Sequence, residues 1–387
     1  MKEKILFVCQ RYGMEINGGA EMECRAYAEH LTDIYDVSVL TTCALDYMSW
    51  DLFYPEGESE INGVKVFRVR NEEGRRKNWL EVYEKVCFYE HSEQEESEWI
   101  DAQGPYCPQL VDFIRNHYSE YKVVIFMTYL YYTTVKGMIP ELDNAILIPT
   151  AHDEPMIHLN IFRDVFRKPK AYIYNTEEEK KFVEKTFPYT KEKASCIVGY
   201  GIDIPKPKYL NVKEKFGLTN YILYAGRIAR AKGCPELISY FIEYKKKNHN
   251  DVKLVLIGKN EIDIPKTDDI VELGFVEEDV KYNLMRDAKV FALASPRESL
   301  SIVVLEAMAM GTPVLVNSVC DVLKAHCENS NAGLYFCNFT EFELTLNYLL
   351  EHSDIYEIMQ ENGKKYVKEK YQWKNIVPEI QKIIDGI

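Results

Sequence analysis

Residues 289–316 constrain the fold more than any other part of the chain. A short apolar run, 289–294, gives way to Ser295-Pro296-Arg297, and a stretch rich in Val, Leu, Ala and Met follows. Those residues favour helix, and Gly311-Thr312-Pro313 ends it before a second apolar run, 314–316. Glycine and then proline past a helix form a stop signal. Strand, helix and strand in so short a span build one unit of a parallel sheet covered by helices.

Two carboxylates punctuate this block. Glu298 stands in the strand-to-helix turn, and Glu306 comes eight positions later. At about 3.6 residues per turn, Glu306 is expected roughly two turns inside the helix. Between them the amides of Ser299, Leu300 and Ser301 occupy the helix start, where unpaired N–H groups and the dipole favour an anion. Glutamates on helices are common, so the pair alone carries little; the strand before it and the Gly-Thr-Pro exit give it a place in a site. A ligand that suits this arrangement has an anionic centre and hydroxyls on two sides. A nucleotide sugar, with diphosphate, ribose and hexose, is such a ligand.

The same βα alternation recurs along the chain. Strands are predicted at 4–9, 36–42, 63–68, 123–127, 145–150 and 171–174, then at 221–225, 252–257, 270–273, 290–293 and 314–316. With 387 residues, the chain exceeds what one core organises. Glycine and proline cluster at 199–208, which divides it into 1–203 and 204–370, with a final helix at 371–387. Residues 71–120, acidic and aromatic, interrupt the rhythm and read as a helical insertion in the first domain.

Charge and cysteines narrow the function classes. Residues 1–203 hold 23 Lys/Arg and 35 Asp/Glu, a balance of −12, and the remainder holds 24 and 26, a balance of −2. An acidic first half argues against nucleic acid as a partner and against broad adhesion to anionic lipid. Two basic runs stand out, at 68–77 (Arg68, Arg70, Arg75, Arg76, Lys77) and at 163–170. They read as solvated loops, with contact at a membrane surface as the alternative. No apolar run approaches the roughly 20 residues that cross a bilayer, and with a strand predicted at 4–9 no signal peptide is expected. Ten cysteines without a C-x-x-C pair suit free thiols in a reducing cytoplasm rather than disulfides or zinc.

Further motifs fall at strand ends. Gly18 and Gly19 follow the first strand and open a helix, where glycines let backbone approach a phosphate or sugar; a simple tight turn is the competing reading. Gly226 ends a strand, and Arg227 and Lys232 lie before the next helix. Cations there oppose the helix dipole, and an arriving diphosphate reverses that sign, with Arg as a fork and Lys as a point charge. His152, with Asp153 and Glu154, closes a first-half strand at its carboxyl end, where open α/β sheets bind ligands. Gly258 and the pair Phe275 and Val276 follow two second-half strands.

The block from Glu298 to Glu306 resembles the Glu-x7-Glu signature of retaining glycosyltransferases of the GT-B fold, glycosyltransferase family 4. Gly226 to Gly233 resembles that family's Gly-Arg-x4-Lys-Gly motif, and Gly18 to Glu21 its Gly-Gly-x-Glu loop. The resemblance implies two Rossmann-like, doubly wound domains facing across a cleft, with residues 371–387 as a helix crossing back to the first. It assigns Glu298 to the donor sugar, Glu306 to the ribose, Arg227 and Lys232 to the leaving diphosphate, and His152 to the reaction centre with Asp153 in support. Gly18, Gly19, Gly226, Gly258 and Ser299–Ser301 line the donor, and Phe275 and Val276 meet the nucleobase. The family often has Gly-Phe-Gly after its first Glu where this chain has Ser299, Leu300 and Ser301, which keeps the backbone donors and leaves the sugar open. The implied reaction moves a hexosyl unit from a UDP- or GDP-linked sugar to a hydroxyl of a glycan or lipid-linked acceptor, in envelope or exopolysaccharide synthesis. No cofactor or metal is expected, and the setting is cytoplasmic, free or at the inner face of the membrane. A sugar phosphorylase of the same fold and a non-catalytic nucleotide-sugar-binding subunit are the alternatives. A nicotinamide oxidoreductase lacks its G-x-G-x-x-G fingerprint here.

Overall fold

The computed structural model describes residues 2–203 and 206–387. The chain forms two compact units, one from residues 1–199 with 374–387 and one from 200–373. The domain boundary placed at 203/204 adjoins Ile204 and Pro205, which lie outside the described residues.

The N-terminal unit is built on an eight-stranded sheet. Its strands are β1 (Lys4–Val8), β2 (Asp36–Thr42), β3 (Gly57–Ile61), β4 (Val64–Val69), β5 (Val123–Met127), β6 (Ala145–Ile148), β7 (Ala171–Tyr174) and β8 (Ala194–Ile197). They run in the order β3-β4-β2-β1-β5-β6-β7-β8. All neighbours are parallel except β3, which pairs antiparallel with β4. The β3–β4 turn is Asn62-Gly63, both at positive φ, the backbone that suits a two-residue hairpin. Strands β1, β5, β6 and β7 are almost wholly buried, because helices cover both faces of a parallel sheet. That is why they read as continuous apolar runs. The acidic excursion forms the helices Trp79–Phe88, Glu93–Gln103 and Pro108–His117. The second of these opens with a reciprocal cap between Ser92 and Glu95, which satisfies donors that a helix start leaves unpaired.

The C-terminal unit holds six parallel strands, β9 (Tyr221–Ala225), β10 (Lys253–Ile257), β11 (Ile270–Gly274), β12 (Val290–Leu293), β13 (Val314–Asn317) and β14 (Gly333–Phe336). Their order is β11-β10-β9-β12-β13-β14. Helix Ile302–Ala309 connects β12 to β13 and packs on helix Ser353–Lys370. There a Cβ on Gly363 would come within 3.1 Å of Met308 O, so glycine permits the close approach. From residue 374 the last helix, Trp373–Asp385, belongs to the N-terminal unit. It buries Ile376, Ile380 and Ile384, one residue per turn on a single stripe, and Asp385 accepts from Tyr35 OH at 2.7 Å.

Every strand expected from the sequence is present to within two residues. Strands β3, β8 and β14 were not foreseen. β3 and β8 are exposed or half-buried edges, and β14 is a four-residue edge strand, so neither alternation nor a long apolar run marks them. Among the described residues no helix is long and apolar enough to cross a membrane.

Candidate active site

In an open α/β sheet the loops that diverge at the reversal of strand order leave a crevice for ligands. In the C-terminal unit the reversal lies between β9 and β12. The loop after β9 carries Gly226, Arg227 and Lys232, and the loop after β12 carries Glu298 and Ser299–Ser301. Three adjacent strands end in glycines tied edge to edge. Gly226 N–H donates to Ile257 O at 3.0 Å and Gly258 N–H to Gly274 O at 2.8 Å. Gly226 and Gly258 sit at φ 140° and 129°, and a Cβ on Gly258 would lie 1.9 Å from Gly226 O. No side chain fits there, so bare backbone faces the crevice. Phe275 is 72% exposed beyond β11, and Val276 is half-buried.

Both glutamates hold a cation. Glu298 Oε1 accepts from Lys232 Nζ at 2.7 Å, and Glu306 Oε1 accepts from Lys281 Nζ and Tyr282 OH, each at 2.8 Å. Arg227 Nη1 stands 4.0 Å from Glu261 Oε2, and the Arg227 carbonyl accepts from the buried Tyr224 OH at 2.5 Å. The helix begins at Ile302 rather than at Ser299, with Ser301 as its N-cap. Glu306 is therefore little more than one turn inside, not two, because Ser299–Ser301 bend to re-aim the chain. Ser301 has φ 67° and ψ 70°, and its buried hydroxyl has no partner among the described residues.

The bend is held from beneath by His326, on helix Asp321–Ser330. Its Nε2 lies 2.7 Å from Leu300 O and its Nδ1 lies 3.2 Å from Tyr366 OH. Burial pushes the imidazole pKa down to about 4. The ring is neutral at pH 7, so Nε2–H donates to Leu300 O and Nδ1 accepts from Tyr366. No motif marks His326 in the sequence. Lys281 and Tyr282, on helix Glu278–Asp287, carried no sequence signal beyond following the Phe275 segment.

In the N-terminal unit strand order reverses between β1 and β5. Gly18 caps helix Gly19–Leu31, and a Cβ on it would meet Glu21 Oε2 at 2.1 Å. Glu21 Oε1 takes Gln10 Nε2, Arg11 Nε and Arg11 Nη2 at 2.9, 2.9 and 2.6 Å. Glu21 thus fixes the loop, while Gly19 faces open space. His152 follows β6 and is partly exposed, with its buried Nδ1 3.7 Å from Glu154 Oε1. Glu154 in turn accepts from Tyr129 OH. Asp153, named in advance as the support, points away and meets His158 Nε2 at 3.0 Å. The chain bends at Asp153, and Glu154, not Asp153, stands beside the imidazole.

Two buried carboxylates brace this edge. Glu179 takes Ala151 N–H at 2.6 Å and Asn175 N–H at 2.7 Å, which pins the turn just before His152. Glu23 accepts from Asn175 Nδ2 at 3.2 Å. Burial raises the pKa of Glu179 to about 8 and of Glu23 to about 7.

Residues 205–366 match the family described as glycosyl transferases group 1. The chain is 26% identical to an uncharacterized glycosyltransferase of Methanocaldococcus jannaschii, a likeness covering 97% of this chain and 96% of that one. It is 26% identical to the alpha-monoglucosyldiacylglycerol synthase of Acholeplasma laidlawii over 50% of this chain and 54% of the relative. Among solved structures, HepE of Anabaena in complex with UDP and glucose superposes with a TM-score of 0.70 at 15% identity, covering 100% of both chains. Identity that low bears on the fold alone. The group 1 match spans the unit that holds both glutamates, the archaeal relative is aligned almost end to end, and the two-sheet architecture is shared: the chain is a glycosyltransferase of the GT-B fold.

Proposed function

We propose that the chain moves a hexosyl unit from a nucleotide sugar to an acceptor hydroxyl with retention at the anomeric carbon, in the manner of family 4. The observation that carries this reading is the pairing of Lys232 with Glu298 at 2.7 Å, beside a helix N-terminus and the bare strand ends of the reversal point. A diphosphate is a stronger partner for Lys232 than one carboxylate. On its arrival Lys232 turns to the phosphates, and Glu298 is released to accept hydrogen bonds from the sugar hydroxyls. Arg227 forks a phosphate, the Ser299–Ser301 amides complete the cradle, and Glu306, steadied by Tyr282, accepts from the ribose.

These groups favour departure of the leaving group. The bond from the anomeric carbon to the diphosphate breaks, and negative charge grows where Arg227, Lys232 and the amides already stand. Such preorganised stabilisation is commonly the largest catalytic contribution. The acceptor oxygen bonds to the same face of the sugar and its proton passes to the departing diphosphate. No metal or cofactor enters this scheme. His152, with Nδ1–H toward Glu154, keeps Nε2 as an acceptor for a sugar hydroxyl.

HepE, seen with UDP and glucose, makes UDP-glucose the first donor to try, with GDP-sugars next. The glycolipid synthase among the relatives favours a lipid-linked acceptor over a free glycan, and the same reading sets the reaction at the cytoplasmic face of the membrane. The test is a thermal-shift panel of UDP, GDP, ADP, CMP and NAD. A ligand at ~100 times its Kd adds about 2.7 kcal/mol. A shift with one nucleoside diphosphate is expected, and a shift with NAD alone would overturn the reading. Proton NMR of the first product then reads the anomer, and an inverted linkage would remove retention.

A further inference from the structure

The basic run at 68–77 is only in part the solvated loop its composition suggests: Arg70 and Lys77 are exposed, and three arginines are drawn in. Arg68 is buried, with Nη1 on Ser59 Oγ at 2.6 Å and Nη2 on Tyr12 O at 2.9 Å. Arg76 pairs with Glu73 at 2.7 Å. Both have structural employment.

Arg75 differs. It is half-buried, its Nη2 donates to Tyr47 O at 3.0 Å, and its Nε has neither solvent nor a partner. It forms no ion pair among the described residues; burial lowers its pKa, and Tyr131, Tyr47 and the Asp46 carboxylate act on it only at longer range. The guanidinium is held 4.5 Å from the Trp79 ring and 5.5 Å from the Trp50 ring. The mount is rigid. Arg75 N–H donates to Ser49 O at 3.0 Å, and Gly74 lies so close that a Cβ would stand 2.5 Å from that same oxygen. Trp50 is 1% exposed, donates Nε1–H to Gln103 O at 2.6 Å and packs edge-on against Tyr131 at 5.3 Å.

The neighbouring Arg11 is the useful contrast, since its charge is met by Glu21 at 2.6 Å. Burial pushes the Tyr131 hydroxyl up to about 12, and it feels the charges of Glu21, Arg75, Arg11 and Glu154. Arg75 therefore shares one carboxyl edge with the Gly18 loop and the His152 turn. A half-desolvated guanidinium without a carboxylate in direct contact is costly to keep, and a ligand oxyanion offsets that cost through a forked contact. In a half of the chain with a balance of −12, such a cation also makes a local positive field.

We propose that Arg75 is the anion subsite for the acceptor: the saccharide that receives the hexosyl unit carries an oxyanion, phosphoryl or carboxylate. This rests on the transferase reading only in calling the ligand the acceptor.

The full chain is titrated by calorimetry with glucose 6-phosphate, glucuronate and glucose. It is also co-sedimented with phosphatidylcholine vesicles with and without phosphatidic acid. An anionic probe should bind at least about tenfold more tightly than its neutral counterpart. Arg75→Gln should abolish that preference, and Arg75→Lys should restore part of it. Preference among the free sugars marks a soluble acceptor, and preference confined to phosphatidic acid marks a lipid-borne one. Equal binding of neutral and anionic probes, no binding by any probe, or a preference that survives Arg75→Gln overturns the proposal. Should Arg75→Gln not fold, Arg75→Lys carries the comparison, because it keeps charge and loses the fork. UDP binding reports separately: its absence in the unaltered chain sinks the transferase reading and leaves the anion preference of Arg75 to stand or fall by itself.

Discussion

Acidification should strike the C-terminal unit through His326, and the size of the effect follows from its surroundings. Its pKa moves from 6.5 to about 4 on burial. The unfolded chain therefore binds the proton first as pH falls, so this contribution to stability is complete above pH 6.5 and is lost on the way down to pH 4. Between pH 7 and pH 5 the loss is about 2 kcal/mol. Protonation also removes the lone pair that receives Tyr366 OH at 3.2 Å, while Nε2–H continues to hold Leu300 O. The test variant is His326→Gln, whose amide can donate toward Leu300 O and accept from Tyr366 without titrating.

Urea unfolding of the C-terminal unit, in both proteins and at both pH values, gives a double difference in which shared terms cancel. Cancellation matters because Glu23 and Glu179 act in the opposite sense. Their raised pKa values, about 7 and about 8, give stability that is complete below the unfolded carboxylate pKa and is lost as pH rises through those values. The unaltered chain should lose about 2 kcal/mol more than His326→Gln between pH 7 and 5. Carbon-13 NMR of the histidine rings reads the same event directly. A double difference below about 0.5 kcal/mol, or a His326 ring that titrates near 6.5, would refute the reasoning.

Four further outcomes are expected. Glu298→Gln should lower transfer at least about a hundredfold while UDP affinity, by calorimetry, holds or rises because Lys232 is released. Arg227→Ala should weaken UDP by about tenfold or more and leave uridine nearly unchanged; equal losses would contradict a phosphate contact. Glu154→Gln should reduce turnover about tenfold, with Asp153→Asn within about twofold of the unaltered rate, and the reverse order would return the supporting role to Asp153. Ser301→Gly should raise the thermal stability of the C-terminal unit by about 1 kcal/mol, since it removes both a left-handed serine and a buried unpartnered hydroxyl; a loss of stability would mean that the hydroxyl is satisfied in solution.

The central strands were legible because a parallel sheet buried on both faces writes itself as an uninterrupted apolar and aromatic run. β5 and β9 show this plainly, each buried along its whole length. The glycines at strand ends were legible for a similar reason: Gly226 and Gly258 occupy backbone that no side chain allows. What stayed hidden was everything that depends on which way a side chain turns at a bend. Asp153 and Glu154 are equivalent as letters, and only the course of the chain through the bend at Asp153 decides which one reaches His152. His326 and Lys281 come from helices that the sheet brings back beneath the site, at 20 and 25 positions from Glu306. No local pattern announces such returns. Arg75 was visible only as part of a charge run, because the absence of a counter-ion is a property of space and not of sequence.

Backbone strain marks the same places. Six non-glycine residues among those described have positive φ. Asn62 in the hairpin and Asn331 at a helix C-cap are ordinary, since asparagine tolerates this conformation at turns. The other four are Trp50, Thr128, Thr150 and Ser301, with φ of 59°, 60°, 49° and 67°. For a tryptophan or a β-branched threonine such a conformation costs of order 1–3 kcal/mol. Each adjoins a residue of the candidate site or of the proposed subsite: Trp50 flanks Arg75, Thr128 precedes Tyr129, Thr150 leads through Ala151 to His152, and Ser301 caps helix Ile302–Ala309. The strain is held by strong local bonds, Thr128 N–H to Ile148 O at 2.8 Å and Ala151 N–H to the Glu179 carboxylate at 2.6 Å. The Glu179 bond is itself made with a buried carboxylate whose charge the fold disfavours at neutral pH. A chain optimised for stability alone would place glycine at the strained positions and a group that does not titrate at Glu179. That both carboxyl edges instead keep costly backbone, and one a buried titratable carboxyl as well, is what ties these bends to chemistry rather than to folding.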